Sequence, residues 1–199
     1  HRGDWDAYVY FSLLHQIAPH DVGNFHLLAN SFLFEAPHLR PFRKLFKKFG
    51  LIPVFLTSYY SQDKPHRDHP ERLEFLAQAT EGLFSLCAYI QTERRKKILV
   101  CPEGEYNTAD PDTILPIQRG VAEIARRVAK VDGPVAITAI GLAYSKKEHK
   151  RSRRHIKPFS ANVYVERSIF VESDMTVDEI IGYISKQLLS SVQNAARGY

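Results

Sequence analysis

The feature that most constrains this chain is an alternation of two hydrophobic periods. Short apolar runs of strand length, residues 51–56, 98–101 and 135–144, are separated by longer segments whose apolar side chains recur every three or four positions. A run of the first kind reads as a buried strand and a segment of the second kind as an amphipathic helix. Strands alternating with helices select an α/β fold, a mostly parallel sheet flanked by helices, because parallel neighbours must be joined by a long crossover.

The helical segments can be placed in turn. Residues 5–17 carry Tyr8, Phe11, Leu14 and Ile17 at helical spacing, and residues 25–34 hold a strand. Residues 37–49 set Phe42, Leu45, Phe46 and Phe49 on one face and Arg40, Arg43, Lys44, Lys47 and Lys48 around the other, with Gly50 as the C-terminal cap. Pro70 opens the next helix. Leu73, Leu76, Leu83, Leu86 and Ile90 form its stripe, and Arg94, Arg95, Lys96 and Lys97 close it against the negative end of the helix dipole. Residues 116–130 read as a helix and 162–165 as a strand. Thr176 and Glu179 have the spacing of a capping box ahead of a last helix lined by Ile180, Ile181, Ile184, Leu188 and Val192. There is no internal repeat and no clear linker, so the 199 residues suit one domain. The start at His1, without Met, is expected to be a cut within a longer protein whose upstream segment is missing.

Composition excludes several classes. With 44% hydrophobic and 25% charged residues the chain is globular, and it has no apolar run of about eighteen residues to span a bilayer. Two cysteines, Cys87 and Cys101, make no disulfide framework and fit a reducing compartment. No Cys/His cluster has zinc spacing, so no metal is expected. Residues 146–157 hold seven basic side chains, from Lys146 to Lys157, against Glu148 alone, a net of +6. The whole chain carries +5, so the remainder nets −1 and the excess is one local patch. Such a patch suits polyphosphate, nucleic acid or an anionic membrane, or is a solvated loop. Aromatics are not interleaved with these cations, which argues against nucleic acid.

Two short stretches carry chemistry. His1 precedes Asp6 by five residues, positions that point about 140° apart on a straight helix. They meet only if His1 lies ahead of the helix and folds back. A carboxylate on one imidazole nitrogen then fixes the tautomer and leaves the other nitrogen free to take a proton. In the second stretch the apolar run 98–101 ends in Pro102-Glu103-Gly104-Glu105. Ligands of parallel α/β sheets bind beyond the carboxyl ends of strands, and Gly104 would allow close approach to the backbone.

Together these stretches resemble the glycerolipid acyltransferase family, the 1-acylglycerol-3-phosphate acyltransferases. His1 to Asp6 matches its H-x4-D motif, and Cys101-Pro102-Glu103-Gly104 its F-P-E-G block. More loosely, Leu39-Arg40-Pro41-Phe42, Gly50-Leu51-Ile52-Pro53-Val54, Gln118-Arg119-Gly120-Val121-Ala122 and residues 135–144 follow the family's order over roughly residues 1–145. The resemblance implies a single acyltransferase domain over residues 1–199 with a glycerol-3-phosphate acyltransferase-like fold. In it His1 is the general base, Asp6 orients it, and a lipid hydroxyl acceptor attacks the thioester of acyl-CoA or acyl carrier protein without an acyl-enzyme. No bound cofactor is implied, since the thioester is a substrate. Cys101 falls where the family has an aromatic, which favours a small buried role over a nucleophile.

The sequence departs from the family where phosphate is usually held. Phe55-Leu56-Thr57-Ser58 and Glu105-Tyr106-Asn107 lack the usual Arg residues, and Ala139 replaces a Pro. A guanidinium binds phosphate through a bidentate, charge-assisted pair, so losing two points to an acceptor other than a phosphomonoester. Arg2, Arg43 and Arg119 are the candidates to replace them. The expected substrate-binding set is Pro102, Glu103, Gly104, Glu105, Tyr106, Thr57 and Arg119. Such substrates place the protein at the cytoplasmic face of a membrane. Candidate contacts are the helix from Arg40 to Phe49 and the basic loop 146–157; the helix's apolar residues packing into the core is the other reading. The alternative function is a non-catalytic, lipid-binding relative.

Overall fold

The structure is a computed structural model that describes residues 23–30, 50–54, 70–104, 113–144 and 161–197, together with Ser12, His15, Gln16, Pro41 and Lys44. The chain divides into two compact units, residues 23–100 and residues 1–22 with 101–199.

The first unit is built on a three-stranded parallel sheet. Strands β1 (Phe25–Asn30), β2 (Leu51–Val54) and β3 (Lys97–Leu99) lie in the order β2-β1-β3, with Leu27 opposite Leu51 and Phe25 opposite Lys97. Three successive residues of the central strand, Leu27, Leu28 and Ala29, are buried. Side chains alternate across a strand, so both faces of β1 are covered. Gly50 enters β2 with φ +68°. The Leu27 amide and the His26 Nδ1–H both donate to its carbonyl, at 3.2 and 3.1 Å. A Cβ on Gly50 would lie 2.9 Å from His26 Nδ1, so glycine is required for fit as well as for conformation. Of the helix expected ahead of Gly50 only Pro41 and Lys44 are described, and of that at 5–17 only Ser12, His15 and Gln16.

Helix α1 (Pro70–Thr92) begins at the proline, whose missing N–H costs nothing in a first turn. It buries Leu76, Phe84, Cys87 and Ile90. Leu86, expected in that stripe, is 43% exposed, and Cys87 is fully buried in its stead. One residue along a helix is 100° of rotation, and the interior lies on the Cys87 side of that step. The basic run also sits differently from expectation. No basic residue occupies the last turn; the helix stops at Thr92, and Arg95 takes the left-handed region at φ 52°. The Lys96 amide then reaches back to the Ile90 carbonyl. Arg94 stacks over the Tyr89 ring and donates to its hydroxyl, Lys96 donates to the Gly23 carbonyl, and Lys97 lies over the Phe25 ring.

In the second unit, helices α2 (Arg119–Asp132) and α3 (Val177–Ala196) pack against each other and against two antiparallel strand pairs. The strand expected over 135–144 is split into β4 (Val135–Ile137) and β5 (Ile140–Tyr144), which pair with β7 (Ile169–Val171) and β6 (Ala161–Val165). Ile137 opposes Ile169 and Ile140 opposes Val165, so Thr138 and Ala139 face three residues, Glu166, Arg167 and Ser168. One extra residue on the partner strand is a bulge, and it breaks the ladder. A Thr138–Ser168 hydroxyl contact of 2.7 Å and the Glu166 amide on the Ala139 carbonyl bridge the gap.

Helix α2 starts three residues later than expected, because Gln118 is extended (φ −70°, ψ 134°). The helix contributes buried Ala122, Ala125 and Ala129 to a core shared with Val171, Ile180, Ile184 and Leu188. At the start of α3 the capping box is complete. The Thr176 hydroxyl accepts from the Glu179 amide, and the Glu179 carboxylate accepts from the Thr176 amide at 2.8 Å. The backbone of α3 lies directly on β5: a Cβ on Gly141 would overlap the Ser191 carbonyl group. The Asn162 side-chain amide donates to the Ala195 carbonyl, and Ser190 Oγ donates to Glu166 Oε1 at 2.5 Å, tying the helix to the β6 side.

Candidate functional site

Of the expected site, Pro102, Glu103, Gly104 and Arg119 are among the described residues. Cys101 to Gly104 form a tight turn closed by the Gly104 amide on the Cys101 carbonyl at 3.1 Å. Pro at the second position and Gly at the fourth are residues such a turn favours. Gly104 has φ +75°, and the methylene of Gln118 stands where a side chain would project, 3.1 Å from an ideal Cβ. Both observations call for glycine independently of any substrate.

The turn is strapped to the segment that leads into α2. The Gln118 amide donates to the Pro102 carbonyl at 2.8 Å, and the Gln118 side chain donates to the Glu103 carbonyl at 3.4 Å. Glu103 is only 2% exposed, and its Oε1 accepts the Leu115 amide at 2.7 Å. A charged acceptor makes this stronger than a neutral bond of the same kind. Pro102 and the free thiol of Cys101 are half-buried at the mouth of the same turn.

Arg119, the first residue of α2, pairs with Asp178 in the first turn of α3 at 2.8 Å. Both side chains are largely exposed, so the pair contributes little, on the order of 0–1 kcal/mol. An anionic substrate at Arg119 would have to compete with that carboxylate.

His1, Asp6, Thr57, Glu105 and Tyr106 lie outside the described residues, as do Arg2, Arg43 and the loop 146–157. Of the expected membrane helix, only Pro41 and Lys44 are described. Among the described residues no group of His, Cys, Asp and Glu could hold a metal ion, and no helix is long and apolar enough to cross a membrane. Leu115 and Gln118 were not legible as partners of the motif. Their bonds, one between backbone groups and two involving a side chain, cross more than ten positions, with no periodicity to mark them.

Comparison with family models, with curated proteins and with solved structures finds no match to this chain.

Proposed function

We propose that this protein is an O-acyltransferase that moves a fatty acyl group from acyl-CoA or acyl carrier protein to the hydroxyl of a lyso-glycerolipid or a related lipid, on a glycerol-3-phosphate acyltransferase-like fold. The observation that carries the reading is the Pro102-Glu103-Gly104 turn. It stands in the family's order behind His1 and Asp6, and it is held by three hydrogen bonds from Leu115 and Gln118. The α/β architecture, with three parallel strands, is compatible with it.

His1 accepts the proton of the acceptor hydroxyl, and Asp6 keeps its imidazole in the tautomer that does so. The oxygen bonds to the thioester carbonyl carbon. Collapse of the tetrahedral intermediate breaks the C–S bond, and the imidazolium returns its proton to the departing thiolate. General-base help of this kind is worth about 10²–10⁴ in rate, and the remainder falls to positioning and oxyanion stabilisation. The absence of Arg from Phe55-Leu56-Thr57-Ser58 and from Glu105-Tyr106-Asn107, with Arg119 engaged by Asp178, favours an acceptor without a phosphomonoester.

The test is transfer of a labelled long-chain acyl group, from each carrier, to a panel of vesicle-borne lyso-lipids with phosphomonoester, zwitterionic and uncharged headgroups. Product that disappears in His1→Ala supports the reading and names the acceptor. No product from either carrier with any acceptor overturns it and leaves the lipid-binding alternative.

A further inference from the structure

We propose that Glu103 is a positioning residue, whose carboxylate fixes the turn from inside so that the substrate meets the turn's backbone and not the Glu103 charge. The placement of the site rests on the acyltransferase reading; the clamp itself does not.

Three observations lead to it. First, Glu103 is all but sealed from solvent, at 2% exposure, where an incoming hydroxyl or headgroup has no access to it. Second, its Oε1 is occupied by a backbone amide 12 positions away, at a distance typical of a charge-assisted bond. To act on a substrate it would have to release the Leu115 amide, a part-buried donor, and give up a charge-assisted bond. Third, the neighbouring bonds have the same purpose. The Pro102 and Glu103 carbonyls both accept from Gln118, and the Gln118 side chain covers the open face of Gly104. Together they tie Pro102 and Glu103 to Leu115 and Gln118. A glutamate suits this role because its reach and its two acceptor oxygens let it bond a strand of backbone from within.

A charge and a clamp make opposite demands on the side chain. Glu103→Gln keeps the length and the acceptor oxygen but loses the charge. Glu103→Asp keeps the charge and is one methylene short of the Leu115 amide. The experiment compares these two variants with the wild-type full chain in acyl transfer, with kcat and acceptor KM separated. Hydrogen exchange at the Leu115 and Gln118 amides and circular dichroism are measured on the same samples.

Glu103→Gln is expected to keep transfer within about fivefold of wild type, the difference between a charged and a neutral acceptor, with Leu115 still protected. Glu103→Asp is expected to fall by roughly 10- to 100-fold, as misplacement of a positioning group by about 1 Å does, with a raised acceptor KM and faster Leu115 exchange. Aspartate matching or outperforming glutamine overturns the proposal, as does Leu115 exchange that is the same in all three proteins. If the wild-type chain transfers no acyl group, the acyltransferase reading fails, and Leu115 exchange still decides whether Glu103 holds the turn.

Discussion

Replacing Gly141 with alanine tests the packing of the second unit at its closest approach. A Cβ at this position would sit inside contact distance of the Ser191 carbonyl and the Val192 amide. These are backbone atoms in the middle of α3 and cannot swing aside as a flexible side chain would. Relief requires α3 to lift from β5. That movement would stretch the Asn162–Ala195 and Ser190–Glu166 hydrogen bonds and open the contacts of Leu188 and Val192. Overpacking costs about 1–3 kcal/mol, and immovable backbone neighbours put this case at about 3 or above. Alanine recovers about 0.5–1 kcal/mol of backbone entropy relative to glycine. The net loss is about 2 kcal/mol or more, a fall in midpoint of roughly 4–8 °C for a chain of this size. Gly182, in the exposed surface of the same helix, has nothing within 4 Å of its would-be Cβ. Gly182→Ala is therefore expected to stabilise by about 0.5–1 kcal/mol. Thermal unfolding followed by circular dichroism reads both variants. If Gly141→Ala melts at or above the wild-type temperature, α3 does not ride on β5 at this point and the packing argument is wrong.

Two further predictions concern protonation and capping. Burial pushes the Cys87 thiol from 9.0 up to about 12. The unfolded chain therefore loses its proton first, and the stability present below pH 9 declines as pH rises toward 12. The slope is about 1.4 kcal/mol per pH unit at most, and urea unfolding of Cys87→Ala between pH 9 and 11 should lack this component. Hydrogen bonds from the Thr176 backbone and side chain hold the Glu179 carboxyl below its usual range. Its contribution is present above the ordinary carboxylate pKa and is lost as pH falls through the lowered one. Thr176→Ala should cost about 1 kcal/mol at neutral pH, and both it and Glu179→Gln should flatten the acid limb of the stability profile. An acid limb unchanged by either substitution would remove the capping box as its cause.

What the sequence determined by itself is what depends on near neighbours or on a period. Pro70 starts α1, Thr176 and Glu179 cap α3, and Ile180, Ile184, Leu188 and Val192 face inward, all as read from spacing alone. The turn at Pro102-Glu103-Gly104 was legible as a turn for the same reason. Tertiary structure decided the rest through bonds between distant positions. An extra residue at Glu166–Ser168 splits the strand over 135–144, although nothing within that run signals a break. The Gln118 amide is held by Pro102 and so delays α2 to Arg119. The neighbours of α1 select Cys87 over Leu86, a choice between two apolar residues 100° apart that hydropathy cannot make. The carboxylate of Glu103 turns inward because the Leu115 amide, 12 positions along the chain, is there to meet it. Local patterns encode periods and caps, whereas register, bulges and side-chain-to-backbone clamps exist only once two separate stretches have been brought together.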